Sequence, residues 1–238
     1  MNISASGLDY TQLNDKVRAS KEDAVINDCL GQRFIAAGMG KRNITINGVP
    51  GNALGAYLDG ACITVNGNAQ DAAGDTMNDG KIIINGCAGD AVGYAMRGGE
   101  IYVKGDAGYR TGIHMKAYAD KLPVIVIGGK CGSFLGEYQA GGLIIVLGLN
   151  ITEPVVGYFC GTGMHGGKII LRGDISDARF PVQVRVCEAE KSDMDEIDGY
   201  LTNYAKYFNV RKSDILNEKF WVLTPNSQSP YKQLYVQN

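Results

Sequence analysis

Few residues in this 238-residue chain carry catalytic chemistry at a spacing that would use it. Its two histidines stand in similar phrases, Gly112-Ile113-His114-Met115 and Gly163-Met164-His165-Gly166. Each falls just before an insertion in a repeating pattern, which is where a stacked array carries binding loops. With their neighbours they make Arg110, His114, Tyr118 and His165 the candidate interface or loop site. The plainer role for both histidines is to satisfy buried backbone groups where the repeat becomes irregular. Ser133 and Thr162 have no base at a diagnostic spacing, so no catalytic, cofactor-binding or metal-ligating residue is assigned. The six cysteines (Cys29, Cys62, Cys87, Cys131, Cys160, Cys187) form no CxxC pair and lie near no histidine cluster. They read as reduced, mostly buried thiols rather than zinc or iron–sulfur ligands.

A glycine-rich phosphate cradle is the other chemistry the chain could offer, through its recurring GxxGxxxG spacing. Such a cradle needs a strand, one glycine loop and then a helix N-terminus aimed at the phosphate. Here the spacing recurs in nearly every repeat and leads to another strand, so the glycines turn corners.

The elements that must position these residues come from that repeat. Ile82-Ile83-Ile84-Asn85-Gly86 returns as Ile101-Tyr102-Val103-Lys104-Gly105, and the same anchor glycine appears at Gly48, Gly67, Gly86, Gly105, Gly129, Gly148 and Gly173. The intervals are 19, 19, 19, 24, 19 and 25 residues, so two turns carry insertions. Four residues before each anchor stand Ile44, Ile63, Ile82, Ile101, Ile125, Ile144 and Ile169. Two before it stand Ile46, Val65, Ile84, Val103, Ile127, Val146 and Leu171. Alternate residues of a strand share a face, so these positions point inward together. The opposite face runs from Thr45 and Thr64 to Val126, Ile145 and Ile170, which predicts exposed early turns and a cover over the late ones.

Further apolar rows begin at Leu54 and Leu58, with the corner glycines Gly55, Gly74, Gly93, Gly112 and Gly136 and a delayed Gly157 between them. Three apolar rows joined by glycine corners describe one coil of a parallel β-helix, stable only when stacked. The spacing predicts an all-β, right-handed parallel β-helix of about seven coils. The cap and a worn first coil occupy 1–42, with a short helix around Thr11 to Ala19. Regular coils follow over 43–175. A strand near 180–186, a helix from about 193 to 208 with Ser192 as its cap, a shorter one near Ser213 and an extended tail fill 176–238. Asp71, Asp75, Asp79 and Asp90 read as solvated turn residues.

Net charge is −2, which excludes the basic excess that phosphate-backbone binding requires. The longest apolar run, Gly141 to Ile151, is half of a membrane span, and the N-terminus lacks signal-peptide features. A cytoplasmic protein with neither membrane nor nucleic-acid partners is expected, and self-association of the rod is left open.

With its repeats laid out, the chain resembles the C-terminal β-helix, or GXGXG, domain of the glutamate synthase large subunit, in the form encoded as a separate polypeptide. The phrases that carry the likeness include Gly51-Asn52-Ala53-Leu54-Gly55-Ala56, Gly108-Tyr109-Arg110-Thr111-Gly112-Ile113-His114-Met115-Lys116 and Gly161-Thr162-Gly163-Met164-His165-Gly166-Gly167. The resemblance implies a non-catalytic scaffold that joins an amidotransferase to a flavin- and iron–sulfur-bearing synthase part. The cofactors, FMN and an iron–sulfur cluster, would then sit in partner subunits, with none in this chain. The chain begins Met1-Asn2, without the N-terminal cysteine that hydrolyses glutamine in that enzyme. A related β-helix, the solenoid component of formylmethanofuran dehydrogenase, shares the glycine-rich coil and is the alternative. A free-standing enzyme using the His114 and His165 loops is the third reading.

Overall fold

A computed structural model describes residues 1–226. Nine parallel strands follow one another in chain order: β1 (Asn2–Ser4), β2 (Ala24–Leu30), β3 (Asn43–Val49), β4 (Asp59–Asn66), β5 (Asp79–Ile84), β6 (Glu100–Val103), β7 (Val124–Ile127), β8 (Ala140–Val146) and β9 (Gly166–Arg172). Each pairs with the strand one coil on, giving a parallel β-solenoid. The expected register holds throughout, with Ile44 opposite Ile63, Ile63 opposite Ile82 and Ile82 opposite Ile101.

The solenoid has about eight turns where seven were expected, because the N-terminal cap joins the sheet. Ala24 and Ile26 of β2 align with Ile44 and Ile46, but no glycine marks the anchor position of that turn. A glycine-based register therefore starts one turn late. Helix α1 (Tyr10–Ala19) lies between β1 and β2 and buries Leu13 and Val17 against the first coils. Its start is set by a reciprocal cap in which the Gln12 amide donates to Asp9 Oδ1 (2.8 Å) and the Asp9 amide to Gln12 Oε1 (3.1 Å).

The interior is filled by the isoleucine and valine rows and by the row Leu58, Met77, Met96, Met115, Gln139 and Met164, all fully enclosed. Two rows expected from the sequence shift in the last coil. Cys160, not Val156, continues the Leu54 row, and Gly161, not Gly157, continues the corner glycines: the Gly161 amide donates to Leu135 O at 2.7 Å. Val156 instead pairs with Cys131, next in the row of Ala69, Ala88 and Ala107. The extra residues of that coil lie upstream of its corner, around 149–154, so His165 leads straight into β9 and adjoins no insertion.

Outside the sheet, Ile83, Tyr102, Val126, Ile145 and Ile170 form a second apolar cluster with Ile197, Leu201, Tyr204 and Phe208 of α2 (Lys191–Phe208). This is the cover expected over the late turns. The helix begins two residues earlier than expected, because Asp193 rather than Asp195 closes the first turn, accepting from the Glu190 amide at 3.1 Å. Where no helix lies, the early face is held by an asparagine stack: Asn47, Asn66 and Asn85 each donate to the preceding Asn27, Asn47 and Asn66 side-chain oxygens, at 2.7 to 3.1 Å.

The C-terminal region ends the sheet. Strand β11 (Phe220–Pro225), the start of the extended tail, pairs antiparallel with β9, and β10 (Val184–Glu188) pairs antiparallel on its far side. Reversing direction at the last rung closes off the parallel edge. Between α2 and β11, α3 (Lys212–Ile215) is pinned by buried Arg172, which donates to the carbonyls of Leu147, Asp214 and Ile215. The Ser229-Pro230-Tyr231 portion of the expected tail lies outside the described residues.

Candidate functional site

In each of seven copies, the corner that follows the anchor holds three residues with positive φ at alternate positions, as in Ala53, Gly55 and Tyr57 or Arg110, Gly112 and His114. The middle one is Ala36 in the first copy and glycine in the other six. Space explains the glycine. A Cβ at Gly55 would stand 2.9 Å from Ile82 Cδ1, and one at Gly136 would stand 2.6 Å from Ile169 Cδ1, so the isoleucine row occupies that room.

The two outer positions of each corner can carry side chains, and their identity changes along the rod. The first outer position runs Phe34, Ala53, Ala72, Ala91, Arg110, Phe134, Phe159, and the second runs Gly38, Tyr57, Thr76, Ala95, His114, Tyr138, Gly163. Left-handed backbone costs a non-glycine residue about 1–2 kcal/mol, and a bulky residue there is an outlier. At the late corners the chain nonetheless places arginine, histidine and three rings in that conformation, with φ between 54° and 64°.

Those side chains meet across coils. Tyr94 stands edge-on to His114 at 5.9 Å, and His114 stacks on Tyr138 at 5.2 Å with the planes 10° apart. Beside this line, Phe134 stacks on Phe159 at 5.0 Å, and the Arg110 guanidinium lies over Phe134 at 5.3 Å. Glu137 joins the two lines: it is 8% exposed and accepts from Arg110 Nε at 2.9 Å. The stack spacing is the coil spacing, about 4.8 Å. Tyr158, 71% exposed, continues the face next to Phe159 and borders two open grooves of about 520 and 360 Å³ that share Arg179.

Of the four residues singled out in the sequence, Arg110 and His114 belong to this face. Tyr118 is on the first insertion, where its backbone pairs with that of Lys121, and Lys121 reaches back to Asp79 (3.3 Å). His165 occupies a different row from His114: its amide donates to Gln139 O as the Lys116 amide donates to Met96 O, whereas His114 corresponds to Gly163. The two histidines are thus offset by two residues in register. Tyr94, Phe134, Glu137, Tyr138 and Phe159 were missed. Their signal in the sequence is a run of large side chains at positions where the corners just before carry Ala72, Asp75, Thr76, Ala91 and Ala95, although Phe34 and Tyr57 are large at the first two corners.

Several polar residues turn out to be structural. Asp71 and Asp90 are exposed turn residues as expected, and each also caps the next coil: Asp71 Oδ1 accepts from the Asp90 amide (2.9 Å) and Asp90 Oδ1 from the Tyr109 amide (2.8 Å). Ser133 does the same for the Tyr158 amide (3.0 Å). Asp79 accepts from the Gly80 amide, which with Lys121 holds its carboxyl below the usual range. Cys29, Cys131 and Cys160 are buried thiols, and burial pushes Cys29 up to about 11, but Cys87 and Cys187 are exposed, against the expectation of mostly buried cysteines. Among the described residues no His, Cys, Asp and Glu cluster could hold a metal, and no helix is long and apolar enough to cross a membrane.

A stacked parallel β-helix, turned at left-handed glycine corners and bearing one face of exposed rings, is the class these features define. The chain belongs to the GXGXG motif family, whose model matches residues 11–226. Glycines at alternate positions are what corners with alternate left-handed residues call for. The chain is 44% identical over 249 aligned positions to the uncharacterized protein MJ1350 of Methanocaldococcus jannaschii, covering 98% of this chain and 95% of that protein. Its fold matches a chain of the formyltransferase/hydrolase complex FhcABCD from Methylorubrum extorquens, solved with methylofuran, at a TM-score of 0.63 and 22% identity. That match covers 83% of this chain and 71% of the other.

Proposed function

We propose that the chain is a non-catalytic scaffold component of a multi-subunit enzyme of glutamate synthase type, holding an amidotransferase part to a synthase part that carries FMN and an iron–sulfur cluster. The observation that carries this reading is the ring-bearing corner face on a rod of the GXGXG family, in which strained backbone displays large side chains outward rather than into the core. Rings and arginine are the residue types that anchor protein interfaces.

A second reading is favoured by the match to a chain of the formyltransferase/hydrolase complex, which would make this protein a component of a formylmethanofuran dehydrogenase-type assembly. Both readings make the rod a partner-dependent subunit. Purified alone, the protein is expected to show neither glutaminase nor glutamate synthase turnover, and turnover without partners would sink the scaffold role. Recovery of the tagged protein from its source with a flavin- and iron–sulfur-bearing polypeptide would support the first reading. Recovery with a molybdenum or tungsten protein would support the second.

A further inference from the structure

Arg110 is prepared for a partner that is not part of this chain. Its Nε is taken by Glu137 at 2.9 Å and its guanidinium lies over the Phe134 ring, so two contacts fix the plane of the group. The rest of the guanidinium is not used: among the described residues its Nη groups make no hydrogen bond, and the side chain is 55% exposed. Glu137 is nearly enclosed, and burying a carboxylate costs free energy unless it is paired, so its place beneath Arg110 needs a reason. Holding the fork still supplies one. A fixed guanidinium presenting two parallel N–H groups matches a carboxylate or a phosphate, and loses little freedom on binding.

The surroundings choose between those anions. A nucleic acid would need several cations along its backbone. The face instead sets a fixed guanidinium beside two ring stacks, His114 on Tyr138 and Phe134 on Phe159, and rings with an arginine are the anatomy of a protein interface centre.

Resting on the scaffold reading above, we propose that the ring-bearing corner is the docking surface for a partner subunit. Arg110 takes a carboxylate of that subunit, an Asp or Glu side chain flanked by apolar groups that lie on the two stacks. Glu137 is the positioning residue. The helix α2 face is not the docking side.

The test uses the full-length chain with the separately purified amidotransferase and flavin/iron–sulfur polypeptides of the glutamate synthase from the same source, measuring Kd by calorimetry. Arg110→Ala is expected to weaken binding about 30-fold or more. Arg110→Lys, which keeps the charge and loses the fork, should weaken it nearly as much, and Glu137→Gln by a smaller factor. Lys206→Ala, exposed on α2, should leave it unchanged. Arg110→Ala leaves the enclosed Glu137 carboxylate unpaired and should unfold at lower urea than the parent, so the double variant Arg110→Ala/Glu137→Gln, which removes that carboxylate and should unfold like the parent, is expected to bind as weakly as Arg110→Ala and separates docking from folding. If the complex forms and Arg110→Ala binds within twofold of the parent, the docking assignment is overturned while the scaffold reading stands. A larger loss with Lys206→Ala than with Arg110→Ala overturns it in favour of α2. Competition by 10 mM inorganic phosphate but not by 10 mM acetate overturns the carboxylate in favour of a phosphate ligand. If the parent binds neither polypeptide, the scaffold reading falls and this proposal with it.

Discussion

At Gly93 the backbone has φ +66° and a Cβ would stand 2.5 Å from Ile125 Cδ1, so conformation and space both exclude a side chain. Ala91, two residues earlier in the same corner, has φ +56° and only the conformational cost. Gly93→Ala should therefore destabilise by about 2–4 kcal/mol, overpacking added to left-handed strain. Ala91→Gly should change stability by no more than about 0.5 kcal/mol, since relief of strain is offset by the freedom glycine gives the unfolded chain. Urea denaturation of the two variants checks this, and equal losses would show that space at the middle position is not what selects glycine. The same reasoning sets Arg110 and His114 apart. Nothing about left-handed backbone favours them, and their side chains lie outside the core.

The docking of α2 is where elements of different type meet, and it rests on buried phenols. Tyr204 donates to Lys104 O at 3.0 Å, and Tyr102 donates to Glu100 Oε2 at 2.6 Å. Burial raises the pKa of both, with the Glu100 hydrogen bond adding to the effect at Tyr102. Burial works against the charge of Lys81, but hydrogen bonds to Tyr207 and Glu100 outweigh it and leave its pKa above the usual lysine value. Groups with raised folded pKa values give stability that is complete below their unfolded values, near 10 for tyrosine, and that is lost as pH rises from there through the folded values. The melting temperature should hold between pH 7 and 9 and fall above pH 10. Tyr204→Phe should lower it at neutral pH by leaving Lys104 O unpaired, and flatten the alkaline decline. A decline as steep as the parent's would show that Tyr204 is not one of the groups responsible.

For the whole rod, stability is shared between neighbouring coils, so one interior charge near the middle is felt throughout. Ile101 is fully enclosed and lies in register between Ile82 and Ile125. Ile101→Asp should abolish cooperative unfolding, because an unpaired carboxylate inside the rod costs at least about 3 kcal/mol and no rearrangement of one coil can reach water. A melting temperature equal to the parent's would mean that the row does not face inward.

Much of this architecture was legible because a stacked coil repeats one local problem. Period-2 aliphatic positions and a 19-residue interval name the inward rows and the corners with no knowledge of distant contacts. The N-terminal turn read only as a worn coil because β2 aligns its aliphatic residues without the anchor glycine. The direction of β11 escaped because antiparallel closure depends on which edge a strand of ordinary sequence meets. The candidate site shows the same division. Arg110 and His114 stand out by residue type, but their companions arrive from coils 19 to 49 residues away, and only the stacking register brings Phe134, Glu137, Tyr138 and Phe159 onto their face. His165 shows the reverse, a similar phrase that the register sets two residues aside, level with Lys116 and away from His114. The sequence by itself determined the coil, because the requirement to bury one apolar edge recurs locally. Which side chains share a surface was decided only by tertiary structure, because that depends on how insertions shift one coil over the next.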